Sequence, residues 1–243
     1  MRNKKINVLY EGKTKNIFQS ENEGTLILHF KDEILNRKNY ETSHFSGKGS
    51  INNRISENLM TKLNNIGVKT HFIKNLNMKE QLVLSCEVIP LIVKVRNVSR
   101  GRLASNLGVE EGAVLPEPII EFHLKNHDLR NPLMNDEHIY HFNISYEYEL
   151  KEIKRYAYRI NDYLLGLFNA LNIRLVDIEL EFGRQIRDSM EYIILIDEIT
   201  PDTCRLWDMT TNKVLDSDAI NIDESSLSEN YIDIAKRLKI IID

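Results

Sequence analysis

The sequence has few cysteines, no long apolar run and no excess of basic charge, and each lack excludes a class of protein. Among its 243 residues only Cys86 and Cys204 are cysteines, and they do not have the spacing of metal ligands. The chain has neither an apolar run of about 18 residues nor a hydrophobic signal segment near its start. Its formal net charge of -4 offers no polybasic surface for nucleic acid. We therefore predict a cytoplasmic protein with neither a nucleic-acid partner nor a membrane.

The hydrophobic pattern that is present predicts a mixed fold. Short alternating runs near the start and again after residue 70 are typical of antiparallel strands. Apolar residues at helical spacing predict helices over about Ser50–Gly67, Tyr146–Leu171 and Ser225–Ile241. The fold class is therefore predicted to be α+β, with two lobes that meet near residue 88.

Two acidic positions follow or interrupt apolar strands late in the chain. The segments "VDIELEFG" and "YIILIDEI" can pair as an antiparallel hairpin, and if odd positions face one another, Glu181 and Asp197 share one face, roughly 7 Å apart. Two carboxylates this close repel each other unless a cation lies between them, and Mg²⁺ is the natural choice. Alternating acids that merely solvate the outer face of a hairpin have the same spacing, so the pattern leaves both interpretations open.

A second cluster lies in "LYEGKTKNIF", where Gly12 forms a turn and Lys13 and Lys15 project from the same side of an extended segment. A glycine turn lets the backbone approach a phosphate chain, and the two lysines supply positive charge for it. Lysines at a strand edge also serve to prevent aggregation. Together with a magnesium site, however, the motif favours binding of a nucleoside triphosphate.

These motifs form part of an ordered series that spans nearly the whole chain and includes "YEGKTKNIF", "GKGSINNRIS", "LVDIELEFG" and "DEITPDTCRLWD". The series resembles the family of phosphoribosylaminoimidazole-succinocarboxamide synthases, the SAICAR synthetases. The resemblance implies two α+β lobes with antiparallel sheets and an ATP cleft between them. It also implies an ATP-dependent ligase that activates a carboxylate as an acyl phosphate, which the amine of aspartate then attacks.

The resemblance implies roles for the two clusters and for the lobes. Gly12, Lys13 and Lys15 bind ATP, and Glu181 and Asp197 hold Mg²⁺ beside it. Lys13 and the two acidic residues are the implied catalytic groups. Residues 1–88 form the ATP-binding lobe, and residues 89–243 form the lobe for substrate and magnesium.

By the same resemblance, Arg96 and Arg205 serve the phosphorylated carboxylate substrate, since a guanidinium can grip phosphate or carboxylate with two hydrogen bonds. A structural ion pair of Arg205 with Asp202 or Asp208 is the alternative.

The chain departs from the family pattern in the parts that recognise substrate. Ile92, Arg100 and Arg102 replace the Glu, Ala and Ser of the family, and Glu179 replaces a Lys. In the segment "KDEILNRKNY", the family's substrate-recognition loop is not present in recognisable form. Arg102 and Glu179 therefore join the predicted substrate-binding residues, and we expect a changed preference among anionic substrates.

The main prediction is thus a ligase that joins an amino acid such as aspartate to a carboxylate substrate, with poor turnover of carboxyaminoimidazole ribonucleotide. One alternative is an ordinary SAICAR synthase of purine biosynthesis. Another is a catalytically silent, nucleotide-binding regulatory paralogue. A homo-oligomer is possible in each case.

Overall fold

A computed structural model describes residues 5–12, 14–35, 41–187, 189–222 and 226–241. The chain divides into two units, and the second contains Glu87–Asp197 and Thr203–Lys213. The first unit contains Met1–Cys86, Glu198–Asp202 and Val214–Asp243. Within the described ranges, no helix is both long and apolar enough to cross a bilayer.

The division differs from a simple split near residue 88. The first segment ends at Cys86, but two later segments, Glu198–Asp202 and Val214–Asp243, return to the first unit. The family resemblance instead predicts that all of residues 89–243 form a second lobe. The roles attached to the two lobes stay predictions.

The first unit is built from an antiparallel sheet with helices against it. The elements are β1 (Lys5–Glu11), β2 (Lys15–Ser20), β3 (Thr25–Phe30), β4 (Glu33–Leu35), β5 (Thr42–His44), α1 (Lys48–Asn65), β6 (Phe72–Asn77), β7 (Glu80–Leu84) and α5 (Leu227–Arg237). The sheet has the order β1-β2-β3-β7-β6, and β4 pairs with β5. Helix α1 packs against β3, β6 and α5, burying Ile55, Leu59 and Leu63 on one face.

The second unit contains a larger antiparallel sheet and, within its described residues, three helices. The elements are β8 (Glu87–Val98), α2 (Arg102–Leu107), β9 (Val114–Leu124), β10 (Leu133–Met134), α3 (Asp136–His141), α4 (Glu147–Ala170), β11 (Ile173–Arg187), β12 (Met190–Ile196) and β13 (Cys204–Asp208). The sheet has the order β10-β9-β8-β11-β12, and β13 also pairs with β11. The antiparallel sheets and the helices confirm the predicted α+β class.

Helix α4 covers one face of this sheet and so determines where polar side chains can lie. Its apolar stripe, which includes Ile153, Ile160 and Leu164, is buried as the sequence pattern predicts. Asn161 of α4 exchanges hydrogen bonds of 2.8 and 2.9 Å with Asn97 of β8. Because successive strand residues point to opposite faces, alternate positions of β8, β9 and β11 point away from α4. We call this second surface the charged face.

Candidate active site

The charged face carries a row of two arginines with an aspartate between them. Asp177 of β11 lies opposite Arg96 of β8 and opposite Arg205 of β13. The Nε of Arg96 donates a hydrogen bond of 2.7 Å to Glu121, and its Nη1 lies 3.7 Å from the Oδ2 of Asp177. Arg96, Asp177 and Arg205 are all buried. The structure therefore brings the two predicted substrate arginines into one row.

Glu121 is the ionised carboxylate that pairs with the Arg96 guanidinium. Burial acts to raise the pKa of Glu121, but hydrogen bonds from His123 and Arg96 outweigh it and lower the pKa below its usual value. The carboxylate is thus ionised at neutral pH and holds one edge of the Arg96 guanidinium.

Asp177 was not among the predicted site residues. It is 3% exposed, and its Oδ1 has no hydrogen-bond partner within the described part of the chain. A buried carboxylate oxygen without a donor is costly, so a donor from a bound ligand would be favourable here. Its position four residues before Glu181 on the same strand was a signal, because both residues share one face.

A second row on the charged face contains Glu121, Lys94 and Glu179. Lys94 of β8 lies opposite Glu121 of β9 and opposite Glu179 of β11. Its Nζ is 2.8 Å from the Oε1 of Glu179. Glu179, which stands where the family pattern has a Lys, adds negative charge to this face, and Lys94 compensates that charge. Lys94 was not among the predicted site residues, because it lies on a strand that is distant from Glu179 in the sequence.

The hairpin predicted to hold Glu181 and Asp197 is present as β11 and β12. In its register, Glu181 lies opposite Ile196, so odd positions of β11 face even positions of β12. The condition under which Glu181 and Asp197 would share one face, odd positions opposite odd positions, is therefore not met. Asp197 lies one residue beyond β12 with a φ of 66°, where strand alternation no longer sets its direction. The register therefore gives no support to a shared face, and the magnesium site stays a prediction.

The chemistry of these two residues still suits magnesium. The Glu181 carboxylate forms an ion pair with Lys125, so it already attracts a cation. No group of three or more His, Cys, Asp or Glu side chains is arranged for a metal within the described ranges. Mg²⁺ commonly uses only one or two protein carboxylates and takes its other ligands from water and phosphate, so this donor set fits it.

The glycine turn of the first unit lies between β1 and β2. The backbone N–H of Gly12 donates a 2.8 Å hydrogen bond to the carbonyl of Lys15, and a Cβ on Gly12 would lie 2.8 Å from that same oxygen. A side chain at this position is therefore excluded. Lys15 forms an ion pair with Glu198, whose side chain is buried. Lys13 lies outside the described residues.

Asp202 is the centre of a polar cluster in the first unit. Its Oδ2 accepts hydrogen bonds from Lys48 at 2.5 Å and from Asn52 at 2.8 Å, and its Oδ1 accepts one from Tyr231 at 2.6 Å. All four residues are buried. We call this the Asp202 cluster.

Arg102 and the residues around Arg205 complete the predicted substrate site, and they lie in different surroundings. Arg102 is the first residue of α2 and is exposed. Asp208, one suggested partner of Arg205, accepts hydrogen bonds from the backbone N–H groups of Thr210 and Thr211 and stabilises the turn after β13. Asp177 is the residue that faces Arg205 across the strands.

Comparisons with known proteins match this fold over nearly its full length. The family model described as SAICAR synthetase matches residues 8–238. The chain is 48% identical over 237 residues to phosphoribosylaminoimidazole-succinocarboxamide synthase A of Bradyrhizobium diazoefficiens, covering 97% of this chain and 92% of the relative. It is 47% identical over 235 residues to the synthase of Parvibaculum lavamentivorans, with coverages of 97% and 93%.

Solved structures give the same result. The synthase of Ehrlichia chaffeensis has a TM-score of 0.92 and 41% identity, covering 98% of this chain and 100% of that one. A type-2 SAICAR synthetase in complex with ADP has a TM-score of 0.90 and 37% identity, with coverages of 96% and 98%. The chain therefore belongs to the SAICAR synthetase family and is an ATP-dependent, amide-forming ligase.

Proposed function

We propose that this enzyme is an ordinary SAICAR synthase of purine biosynthesis, which joins aspartate to carboxyaminoimidazole ribonucleotide. This was the alternative in the sequence analysis, and the comparisons favour it over a ligase with a different substrate. Relatives that carry the synthase name are 48% and 47% identical over 97% of the chain. The Lys94–Glu179 pair also offsets the negative charge that Glu179 introduces in place of the family's Lys.

The observation that carries the proposal is the row of Arg96, Asp177 and Arg205. Two guanidinium groups on one face can bind the phosphate and carboxylate of an anionic substrate through charge-assisted hydrogen bonds. Asp177 between them limits the net charge and leaves one carboxylate oxygen able to accept a further hydrogen bond. Glu179 and Arg102 are proposed to contact the same substrate from β11 and α2.

The proposed chemistry begins with the substrate carboxylate, whose oxygen is a poor leaving group. Its attack on the terminal phosphorus of ATP releases ADP and gives an acyl phosphate. The amine of aspartate then attacks the acyl carbon, phosphate departs, and the nitrogen loses its proton to leave the amide. Arg96 and Arg205 would hold the substrate while this exchange takes place.

ATP is proposed to bind through the glycine turn and its lysines. Gly12 permits close approach of a phosphate chain, and the ammonium groups of Lys13 and Lys15 offset the charge that develops during phosphoryl transfer. A relative that is 37% identical was solved in complex with ADP, which supports nucleotide binding here.

Magnesium is proposed to be held by Glu181 and Asp197. When bound, it would neutralise phosphate charge and orient the phosphate chain. Lys125, the present ion-pair partner of Glu181, would have to release the carboxylate, at least in part. Cytoplasmic localisation and a possible homo-oligomer stay predictions.

The test is formation of the amide product from carboxyaminoimidazole ribonucleotide, aspartate and ATP, identified by mass spectrometry, with and without Mg²⁺. We expect one ADP and one phosphate per amide, and no product without aspartate. Accumulation of a phosphorylated substrate without amide would indicate a kinase. Nucleotide binding without turnover would contradict the proposal.

A further inference from the structure

The ion pair between Lys15 and Glu198 is buried more deeply than a surface pair. The Lys15 side chain is 13% exposed and that of Glu198 is 3% exposed. Removing two charges from water is costly, so such a pair is weak evidence for stability by itself. Lys15 is the first residue of β2 and lies close to the glycine turn, and this location suggests that the pair serves ligand binding.

Glu198 belongs to a short segment that is anchored at its far end. The segment Glu198–Asp202 ends in the Asp202 cluster, where Lys48 and Tyr231 donate hydrogen bonds to its carboxylate. The carbonyl of Pro201 also accepts a 3.1 Å hydrogen bond from the backbone N–H of Ser217. These hydrogen bonds restrict the movement of the segment, and they therefore hold the Glu198 carboxylate in place beside Lys15.

A lysine ammonium on a four-carbon stem needs support to act as an oriented phosphate ligand. It has three donors, so a carboxylate can accept one hydrogen bond while the others stay available to a ligand. Protein kinases provide a precedent for this arrangement, since their phosphate-binding lysine forms an ion pair with a glutamate that must be in place for activity.

We propose that Glu198 is a positioning residue, which holds the Lys15 ammonium in the orientation that nucleotide phosphates require. The inference rests on the proposed role of Lys15 in ATP binding. It gives Glu198 a role distinct from that of its neighbour Asp197, because Glu198 acts through the lysine and does not contact the nucleotide.

The test is a double-mutant cycle of Lys15→Met and Glu198→Gln, with the Kd for ADP measured by calorimetry without the other substrates. We expect each single variant to bind ADP about tenfold more weakly. The double variant should bind no more weakly than Lys15→Met alone, because Glu198 acts only through Lys15. Binding of the ribonucleotide substrate, measured separately, should stay within about twofold of wild type.

Glu80→Gln provides the matched control. Glu80 pairs with Lys5 in the same unit, and its side chain is 16% exposed. This variant loses an ion pair of the same type, so its Kd for ADP should stay within about twofold of wild type. Glu198→Asp, which keeps the charge, should recover part of the lost affinity and gives a second variant if Glu198→Gln does not fold.

Two outcomes would overturn the inference while leaving the proposed function intact. One is wild-type ADP affinity in Glu198→Gln. The other is a double variant whose loss equals the sum of the two single losses, which would show that the two residues act independently. Failure of the wild-type protein to bind ADP would instead contradict the proposed function.

Discussion

Two buried aspartates, one in each unit, have opposite surroundings. Asp202 in the first unit accepts side-chain hydrogen bonds on both carboxylate oxygens, from Lys48, Asn52 and Tyr231. Asp177 in the second unit lies 3.7 Å from Arg96 through one oxygen, and its other oxygen has no hydrogen-bond partner within the described residues. Both side chains are almost fully buried.

We propose that the difference separates a structural group, Asp202, from a ligand-binding one, Asp177. A buried carboxylate whose hydrogen-bonding capacity is filled by the protein contributes to stability and has little left for a ligand. A buried carboxylate that keeps an open oxygen between arginines is poorly satisfied until a ligand arrives. We therefore expect changes at Asp202 to affect mainly unfolding, and changes on the charged face to affect mainly substrate binding and turnover.

The largest effect is expected at the proposed magnesium ligands. Glu181→Gln and Asp197→Asn should each lower kcat by about a thousandfold, because the metal and the phosphates lose their anchor. The melting temperature should change little, since the ion pair of Glu181 within the described residues is with the partly exposed Lys125. Wild-type rates at limiting Mg²⁺ in both variants would remove these residues from the site.

The next effect is one of stability and concerns the Asp202 cluster. Asp202→Asn should lower the free energy of unfolding by about 3 kcal/mol, because it leaves the buried ammonium of Lys48 without its counter-charge. Urea unfolding followed by circular dichroism measures this loss. The double variant Lys48→Met with Asp202→Leu should recover part of it, since both charges are then removed. An Asp202→Asn variant as stable as wild type would contradict the assignment of Asp202 as a structural group.

The matched change on the charged face is Asp177→Asn. It should raise the KM for the ribonucleotide about thirtyfold, about 2 kcal/mol, because Arg96 and Arg205 lose the carboxylate between them. Stability should fall less than in Asp202→Asn, since Glu121 still pairs with Arg96. A loss of stability without a change in KM would place Asp177 among the structural groups.

The smallest effect is a pH dependence of stability from Glu149. Burial acts to raise the pKa of Glu149, but hydrogen bonds from Arg184, the Tyr146 backbone and Ser145 outweigh it and lower the pKa. Because the folded pKa is below the unfolded value, near 4.3, the stabilisation is complete above that pH and is lost as the pH falls through the folded pKa.

Replacing Glu149 with Gln should therefore lower stability at pH 7 by about 1 kcal/mol or more, and the difference from wild type should shrink in acid. Unfolding midpoints between pH 7 and pH 3 measure it. A difference that stays constant over this range would contradict the assignment.

Local patterns predicted the elements better than the pairing between them. The stripe on α4 was sufficient to place that helix, because a helical period is a local property. The hairpin was also predicted, but its register depends on the turn, and one position of slip exchanges the faces. Since Arg187 pairs with Met190, each residue of β11 faces one of opposite parity on β12.

The partners of single charges were harder to predict. Nothing near Glu179 in the sequence indicates its partner Lys94, which lies opposite it on a strand that is distant in the sequence. The same limit applies to Tyr231, which reaches Asp202 only because the C-terminal segment returns to the first unit. Such contacts depend on the tertiary fold, and no pattern of a few neighbouring residues contains them.

The measurement that tests the central claim most directly is steady-state turnover of carboxyaminoimidazole ribonucleotide and aspartate, compared with the Bradyrhizobium diazoefficiens enzyme, to which the chain is 48% identical. The proposed function predicts kcat/KM values within about tenfold of each other. A value about a hundredfold lower for this chain, with ATP binding intact, would contradict it and restore the prediction of a different carboxylate substrate.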